Sequence, residues 1–310
     1  MEFIKDPFEH LRIPIGDWTE YVLQLLVTNF RWLFQALREP VDFVLGGLEG
    51  LLTQAPPLLL LVVFTLFAWQ IAGVRVMAIA LACFTTIGLI GAWEEAMTTL
   101  AIVLTSILYC SAVGIPLGVA SARSNTFDKW LRPVLDLMQT IPSFVYLVPV
   151  VMLFGIGNVP GVIVTIVYAL PPVVRLTNLG IRQVPKDLTE AALAFGASRG
   201  ELLRKIEFPL AMPSIMAGVN QTIMMSLSMV VVASMISVTG LGQMVLRGIG
   251  RLDVGLATVG GLGIVLLAIA IDRVSQGFAQ DARSRNHLKW HEAGPIGLVR
   301  KLVINKKHSE

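Results

Sequence analysis

Charge is what this sequence has least of. Only 15% of the 310 residues are Asp, Glu, Lys or Arg, while 55% are hydrophobic. A soluble chain of that balance would carry more apolar surface than an interior can hold, so the composition points to a polytopic membrane protein. No Gly-Lys dipeptide occurs anywhere. That excludes the phosphate-cradling loop ending in Gly-Lys-Ser/Thr, and any ATP that drives this protein must be handled by another chain. Cysteine is nearly absent: Cys83 and Cys110 both lie in apolar runs, where they serve as small hydrophobic residues rather than as a disulfide or a metal site. The four histidines fall in the tails. His287 and His291 have i,i+4 spacing but no acidic ligand motif nearby, so no metal is expected. The start, MEFIKDPFEHLR, lacks a basic stretch leading into an apolar core and a cleavage site, so no removable signal peptide is expected. Ionisable groups are missing from the interiors of the apolar runs, which argues against a proton relay or a channel built on charged rings. No polar catalytic cluster stands out, and an enzyme is not expected.

What is there is a series of uncharged runs: 50–74, 76–93, 96–122, 137–174, 208–246 and 254–271. A membrane span needs about 20 apolar residues, so the fourth run has room for two helices and each of the others for at least one. The expected fold class is an all-α membrane protein with about seven transmembrane helices. Residues 1–49 hold four Lys/Arg against eight Asp/Glu, and residues 272–310 hold eight against four. The positive-inside bias then places the N-terminus outside and the C-terminus in the cytosol. A pI near 9.0 reflects that asymmetry, and no nucleic-acid partner is expected. Two spans within 208–246 would reverse the tail, so one span at about 214–238 is taken there. A Gly-rich external stretch, 239–255, follows it and is able to dip back into the membrane. Residues 18–37 are apolar at helical spacing but carry Glu20 and Arg31, which suits a helix lying in the interface. Gly155 to Gly161 reads as an external turn, and Pro171-Pro172 as a break near the inner end of a helix. The chain therefore divides into an extracytoplasmic N-terminal region (1–55), two peripheral spans (56–95), a five-span core (96–275) and a cytosolic tail (276–310). The Lys/Arg of that tail are placed to touch anionic lipid.

One long polar interval, residues 187–213, separates two apolar runs. Asp187 stands three residues before Glu190 and Ser198 three before Glu201, and each pair fits a capping box. Gly196 lies between them, where a left-handed residue can end one helix before the next begins. The spacing predicts a short helix, a glycine turn and a second helix that stops before Pro209. Ala191, Ala192, Ala194 and Ala197 keep the first helix thin, so that another protein's surface can approach. A helical hairpin with no partner fits the same pattern.

Glu190-Ala191-Ala192, then Gly196, Ile206 and Pro209, resembles the EAA loop of ABC-importer permeases, the element that docks into the ATPase subunit. The stretches QTIPSFVYLVPVVMLFGIGNVPG (139–161), PLAMPSIMAGVNQTIMMSLSMVVVASMI (209–236) and GLGQMVLRGIGRLDVGLATVGG (240–261) are similar to the permease of glycine betaine/proline betaine importers. The likeness runs from about residue 98 to 276. It implies a type-I ABC importer permease fold in a bacterial cytoplasmic (inner) membrane, working as a homodimer. Two ATPase subunits would dock at the loop and an extracytoplasmic betaine-binding protein on the outer face. ATP and Mg would be bound by the ATPase and no cofactor by this chain. Within the loop, Asp187 opens the first helix, Glu190 is assigned to capping and contact, Ala191 and Ala192 to close docking, and Gly196 to the turn.

Candidate path residues are the mid-membrane amides and hydroxyls Asn220, Gln221, Thr222, Ser226 and Ser228, with Gln139, Ser143 and Tyr146. Each equally fits interhelical hydrogen bonding. Met224, Met225, Met229 and Met235 read as adaptable packing. Quaternary ammonium groups favour aromatic cages, but Trp18, Trp32, Trp69, Trp93 and Trp130 are scattered near expected interfaces, so selection is expected in the separate binding protein. Two rival readings remain: the same permease class carrying choline, carnitine or taurine and other sulfonates, and an ATP-independent osmolyte channel or secondary carrier.

Overall fold

The computed structural model describes residues 14–284, with side-chain surroundings as far as Gly277. The N-terminal residues, the two tail histidines and the basic end of the tail lie outside the described residues. Every regular element among those described is a helix. In order they are α1 (Ile15–Gln54), α2 (Pro57–Ala72), α3 (Val74–Leu89), α4 (Trp93–Arg123) and α5 (Asn125–Thr140). A 3-10 turn (Ser143–Tyr146) leads into α6 (Leu147–Phe154), followed by α7 (Asn158–Arg182), α8 (Lys186–Ala194) and α9 (Arg199–Leu202). A π turn (Leu203–Glu207) opens α10 (Phe208–Ala233), and α11 (Leu241–Arg251) and α12 (Val254–Ser284) complete the chain.

Four straight helical stretches are long and apolar enough to cross a membrane: Trp93–Arg123, Asn158–Arg182, Arg199–Ile236 and Val254–Gly277. Two more candidates are bent pairs, α1 with α2 at 111° and α5 with the 3-10 turn and α6 at 102°. The candidate spans among the described residues are thus four, or six with the bent pairs, against about seven expected; α3, the remaining expected span, is apolar but shorter. The α5–α6 bend has a local cause. Ile141 precedes Pro142, whose ring pushes the preceding residue into extended backbone, and Ile141 and Pro142 have ψ of 128° and 133°. The Tyr146 hydroxyl donates to the Leu137 carbonyl across the bend at 3.1 Å.

At the centre, α7 is packed between α4 and α10. Gly114 and Gly118 leave no room for a Cβ where α4 meets Val173 and Thr177, and Gly180 and Gly218 do the same where α7 meets α10. With no hydrophobic force between helices inside lipid, such close backbone approach is what drives their association. This packing overrides the expectation at Pro171-Pro172: α7 runs through both prolines to Arg182, and both are buried. Neighbouring helices bond the carbonyls on either side of Val167 and Tyr168, the two that lose their helical donors to the prolines. Thr222 donates to Ala169 O at 2.9 Å and the Cys110 thiol to Ile166 O at 3.7 Å. Cys83 and Cys110 are both buried and unbridged.

The remaining elements close the two ends of this core. α1 crosses the end formed by the C-terminus of α6 and the N-terminus of α7, where Arg38 donates to Phe154 O at 3.2 Å and Asn158 donates to Glu49 at 3.2 Å. At the same end the Gly-rich stretch dips inward. Leu241 is fully buried and its N–H donates to Thr99 Oγ1 at 2.9 Å. α11 then returns beside α12. α8 and α9 occupy the opposite end, called here the loop end.

A candidate coupling loop and translocation path

The loop begins where α7 ends. Pro185, with ψ of 131°, is the N-cap residue of α8 and offers no side-chain acceptor. The start is therefore set by proline's fixed φ, and Asp187 falls inside the first turn. The box expected between Asp187 and Glu190 does not form, although Asp187 still lies where a carboxylate favours the helix dipole. The second box does form: Ser198 Oγ accepts from Glu201 N at 3.3 Å, and Ser198 N donates to Glu201 Oε2 at 3.2 Å. Lys205 and Ser198 hold the Glu201 carboxyl down at about 2, so this polar cap stays ionised throughout the neutral range. Gly196 adopts φ +84°, a conformation cheap only for glycine. Its N–H donates to Leu193 O at 2.9 Å and that of Ala197 to Ala192 O at 3.0 Å, closing the end of α8.

The second helix does not stop before Pro209. α9, the π turn, α10 and the following 3-10 turn form one rod, Arg199–Ile236, whose polar first part stands clear of the apolar part. Proline lacks the N–H for an ordinary helical bond and its ring crowds the carbonyl four residues back. The π turn immediately before Phe208 widens the helix there and lets the chain pass.

The two halves of the loop are held very differently. α8 has no buried residue: Glu190 and Ala191 are exposed, Ala192 half-buried, and Leu188, Leu193 and Phe195 stand out at 46%, 49% and 93% exposure. The rod buries Leu202, and Leu203 and Phe208 pack on Ile181, Ala211 and Ile215, against Ile115, Val119 and Ala122 of α4. Arg123, the last residue of α4, donates to Arg199 O at 2.8 Å and lies 3.9 Å from Glu207. Ile206 is half-buried on the rod and Pro209 exposed.

Just inside the loop lies a polar clamp that the sequence reading missed. Asp128 of α5 is buried and accepts from Ser121 of α4 at 2.6 Å and from Asn178 of α7 at 2.7 Å. Its other oxygen lies 2.7 Å from Arg132 and 3.7 Å from Arg182. Arg182 also donates to Asn178 Oδ1, Asn125 Oδ1 and Ser121 O at 2.7–2.8 Å. Ser121, Asp128, Arg132, Asn178 and Arg182, with the Arg175–Asp136 ion pair, line a cavity of about 440 Å³. A buried carboxylate satisfied this fully locks α4, α5 and α7 together four residues before α8 begins. Only the Asp128–Arg132 spacing of i,i+4 hinted at any of it.

The candidate path residues separate into two groups. Asn220 accepts from Ser275 of α12, Thr222 is bonded to α7, and Ser226 is fully buried with its hydroxyl unpartnered. These three face the packed interior. Gln221 and Ser228 are exposed, on a face of α10 they share with Leu210, Ala217 and Met224. Ser228 bonds its own helix at Met224 O. Gln139, Ser143 and Tyr146 are half-buried at the α5–α6 bend, whose 3-10 turn packs on α10. The bend lies beside α10, and among the exposed residues Phe144, Val145, Leu210 and Met224 stand with the polar ones.

Comparison with known proteins decides what this arrangement belongs to. Residues 114–284 match the family described as binding-protein-dependent transport system inner membrane component. The chain belongs to that family of permeases. This permease is 57% identical over 301 residues to the glycine betaine/proline betaine transport system permease protein ProW of Escherichia coli (strain K12), a match covering 97% of this chain and 85% of that one. It is 38% identical over 276 residues to the glycine betaine transport system permease protein OpuAB of Bacillus subtilis (strain 168), covering 89% and 98%. Among solved structures it resembles a chain of the MetNI methionine ABC transporter in an inward facing conformation. The TM-score there is 0.57 at 19% identity, over 62% of this chain and 95% of that one. The fold is that of a type-I ABC permease, a multi-pass membrane protein and a translocation component rather than an enzyme.

Proposed function

We propose that this permease passes glycine betaine and proline betaine across a bacterial inner membrane, received from an extracytoplasmic binding protein and driven by ATPase subunits docked on α8. The observation that carries the cargo is the near full-length 57% identity to a relative named for those two betaines. The unpacked apolar surface of α8 supports the docking role: Leu188, Leu193 and Phe195 are exposed as the core of a protein interface would be before its partner arrives. ATP and Mg belong to the ATPase.

In this reading two copies of the chain pair through the surface formed by α10 and the α5–α6 bend. Gln139, Ser143, Tyr146, Gln221 and Ser228 then line the path, and Asn220, Thr222 and Ser226 hold the helices that carry it. Closure of the ATPase pair moves α8. Gly196 passes that motion to the rod, and the clamp at Asp128 carries it to α4, α5 and α7. A path lined by amides and hydroxyls suits a zwitterion, which it can contact at both poles without holding it by a full charge. The loop end faces the cytosol, with the N-terminus outside and the C-terminus inside, as the charge asymmetry favours.

A relative named for glycine betaine and carnitine, GbuB of Listeria monocytogenes serotype 1/2a (strain 10403S), 41% identical over 279 residues, gives carnitine a specific claim as second cargo. The test is uptake of labelled glycine betaine into proteoliposomes holding this chain, its ATPase and its binding protein. ATP-dependent uptake blocked by excess proline betaine but not by taurine is expected. Uptake without ATP would overturn the class, and carnitine or choline carried in place of betaine would overturn the cargo.

A further inference from the structure

We propose that α1 carries a binding site for the phosphate of a membrane phospholipid, formed by Arg31, Gln35 and Arg38 against the C-terminal turn of α6. The three residues follow one another at i, i+4 and i+7 and so share one face of the helix. They line a cavity of about 350 Å³ whose opposite wall is the stretch from Val151 to Gly155. Phe34, between them, meets Phe154 edge-on at 5.4 Å between ring centroids, which fixes the helix against α6. Arg38 donates to Phe154 O at 3.2 Å and keeps the rest of its five N–H donors for a ligand. Arg31 makes no hydrogen bond or ion pair among the described residues. Neither guanidinium forms an ion pair among the described residues, although Arg38 also borders a second cavity that Asp42 and Glu49 line. Asp42, one turn beyond Arg38, forms no ion pair with it, and Glu49 is taken by Asn158. Two planar cations and an amide converging on one cavity suit an oxyanion that accepts several hydrogen bonds at once.

The surroundings assign that oxyanion to a lipid rather than to a free ion. Trp18 and Tyr21, before a kink in α1 at Phe30, and Trp32, just after it, are 60%, 69% and 67% exposed. Exposed rings of this kind settle at the boundary between headgroups and hydrocarbon, as does an amphipathic helix lying in the interface plane. The 111° angle between α1 and α2 lays α1 along that boundary when α2 crosses the bilayer. Val27, Val151 and Met152 give the cavity an apolar floor beside its cationic rim, matching the phosphate-to-glycerol end of a phospholipid. The consequence reaches the transport core. Glu49 of α1 accepts from Asn158 of α7, and Asn158 accepts from Thr239 in the loop between the rod and α11, so a lipid held in the cradle steadies the helix that bridges those segments.

The test is native mass spectrometry of the purified, delipidated full-length chain given phosphatidylglycerol. Arg31→Ala removes a side chain with no partner among the described residues, so the fold is kept, and lipid affinity is expected to fall about tenfold, the loss of one charge-assisted contact. Arg31→Lys, which keeps the charge, should restore part of it. Equal lipid retention by wild type and Arg31→Ala overturns the proposal. So does displacement of the lipid by millimolar inorganic phosphate, which would make this a soluble-anion site. Loss of binding-protein association with lipid retention unchanged would make the cradle a protein-docking surface and overturn it as well. None of these readouts depends on cargo or ATP, so this proposal can fail while the transport reading stands.

Discussion

α8 and the rod that begins with α9 are joined through a single left-handed glycine, yet they share almost nothing in how they are held. α8 buries no side chain, whereas the rod is capped by Ser198, buries Leu202 and is tied to α4 through Arg123. A helix of nine residues with so little packing is marginal by itself in water, so in the proposed reading α8 is steadied by a surface outside this chain. The rod needs none. In that reading the difference separates the part that receives a force from the part that transmits it.

The anchored side of that comparison breaks most severely if the clamp is opened. Arg182→Leu leaves the buried Asp128 short of a counter-charge and strips bonds from Asn178, Asn125 and Ser121. With Arg132 still 2.7 Å from Asp128, a cost of about 1–3 kcal/mol is expected, read as a clear drop in the melting temperature of the purified chain; a wild-type melting curve would refute the clamp. Gly196→Val attacks the joint itself. A β-branched residue at φ +84° costs about 1–2 kcal/mol, and the turn will reset. ATP-driven uptake should then fall at least tenfold while the amount of protein in the membrane stays the same. Phe195→Asp alters only the unpacked side. It should weaken ATPase association by about tenfold, the scale of one lost interface anchor, and leave the melting temperature unchanged. A shift in melting instead would mean that Phe195 serves the fold.

The smallest expected effect sharpens the contrast. Ser198→Ala removes a cap worth about 1 kcal/mol, a modest loss in melting temperature and uptake. Glu201, the other half of the box, is held at about 2 against an ordinary 4.5. A carboxyl lowered on folding contributes fully above its unfolded value and fades as pH falls toward its folded one. The difference in melting temperature between Ser198→Ala and wild type should therefore be flat from pH 5 to 8 and shrink only below about pH 4.5.

The parts of this site that could be read in the sequence are those set by neighbours along the chain. Ser198, Glu201 and Gly196 declare their roles within one stretch of six residues, and all three do what their spacing implies. Asp187 shows the limit of the same logic, because Pro185 two residues earlier had already set the helix start. Pro171-Pro172 and Pro209 were read as stops. Packing against α4 and α10 carries the helix through the first pair, and a π turn carries it past the last. Asp128 and Asn178 meet across 50 residues and left no local trace. Hydroxyls such as Thr222 and Ser228 look alike in an apolar run; only the facing helix makes the first a strut and leaves the second on an open surface.

The central claim, that α8 is where the ATPase takes hold, is most directly tested by cysteine crosslinking. With Cys83 and Cys110 buried, a single cysteine at Phe195→Cys is the accessible thiol on this chain once one at Phe43→Cys, 83% exposed at the far end, serves as the separate control. Reconstituted with the ATPase and treated with a short thiol-to-amine crosslinker, the Phe195→Cys permease is predicted to yield a permease–ATPase adduct and the Phe43→Cys permease none. Full uptake activity with no adduct from position 195 would contradict the account.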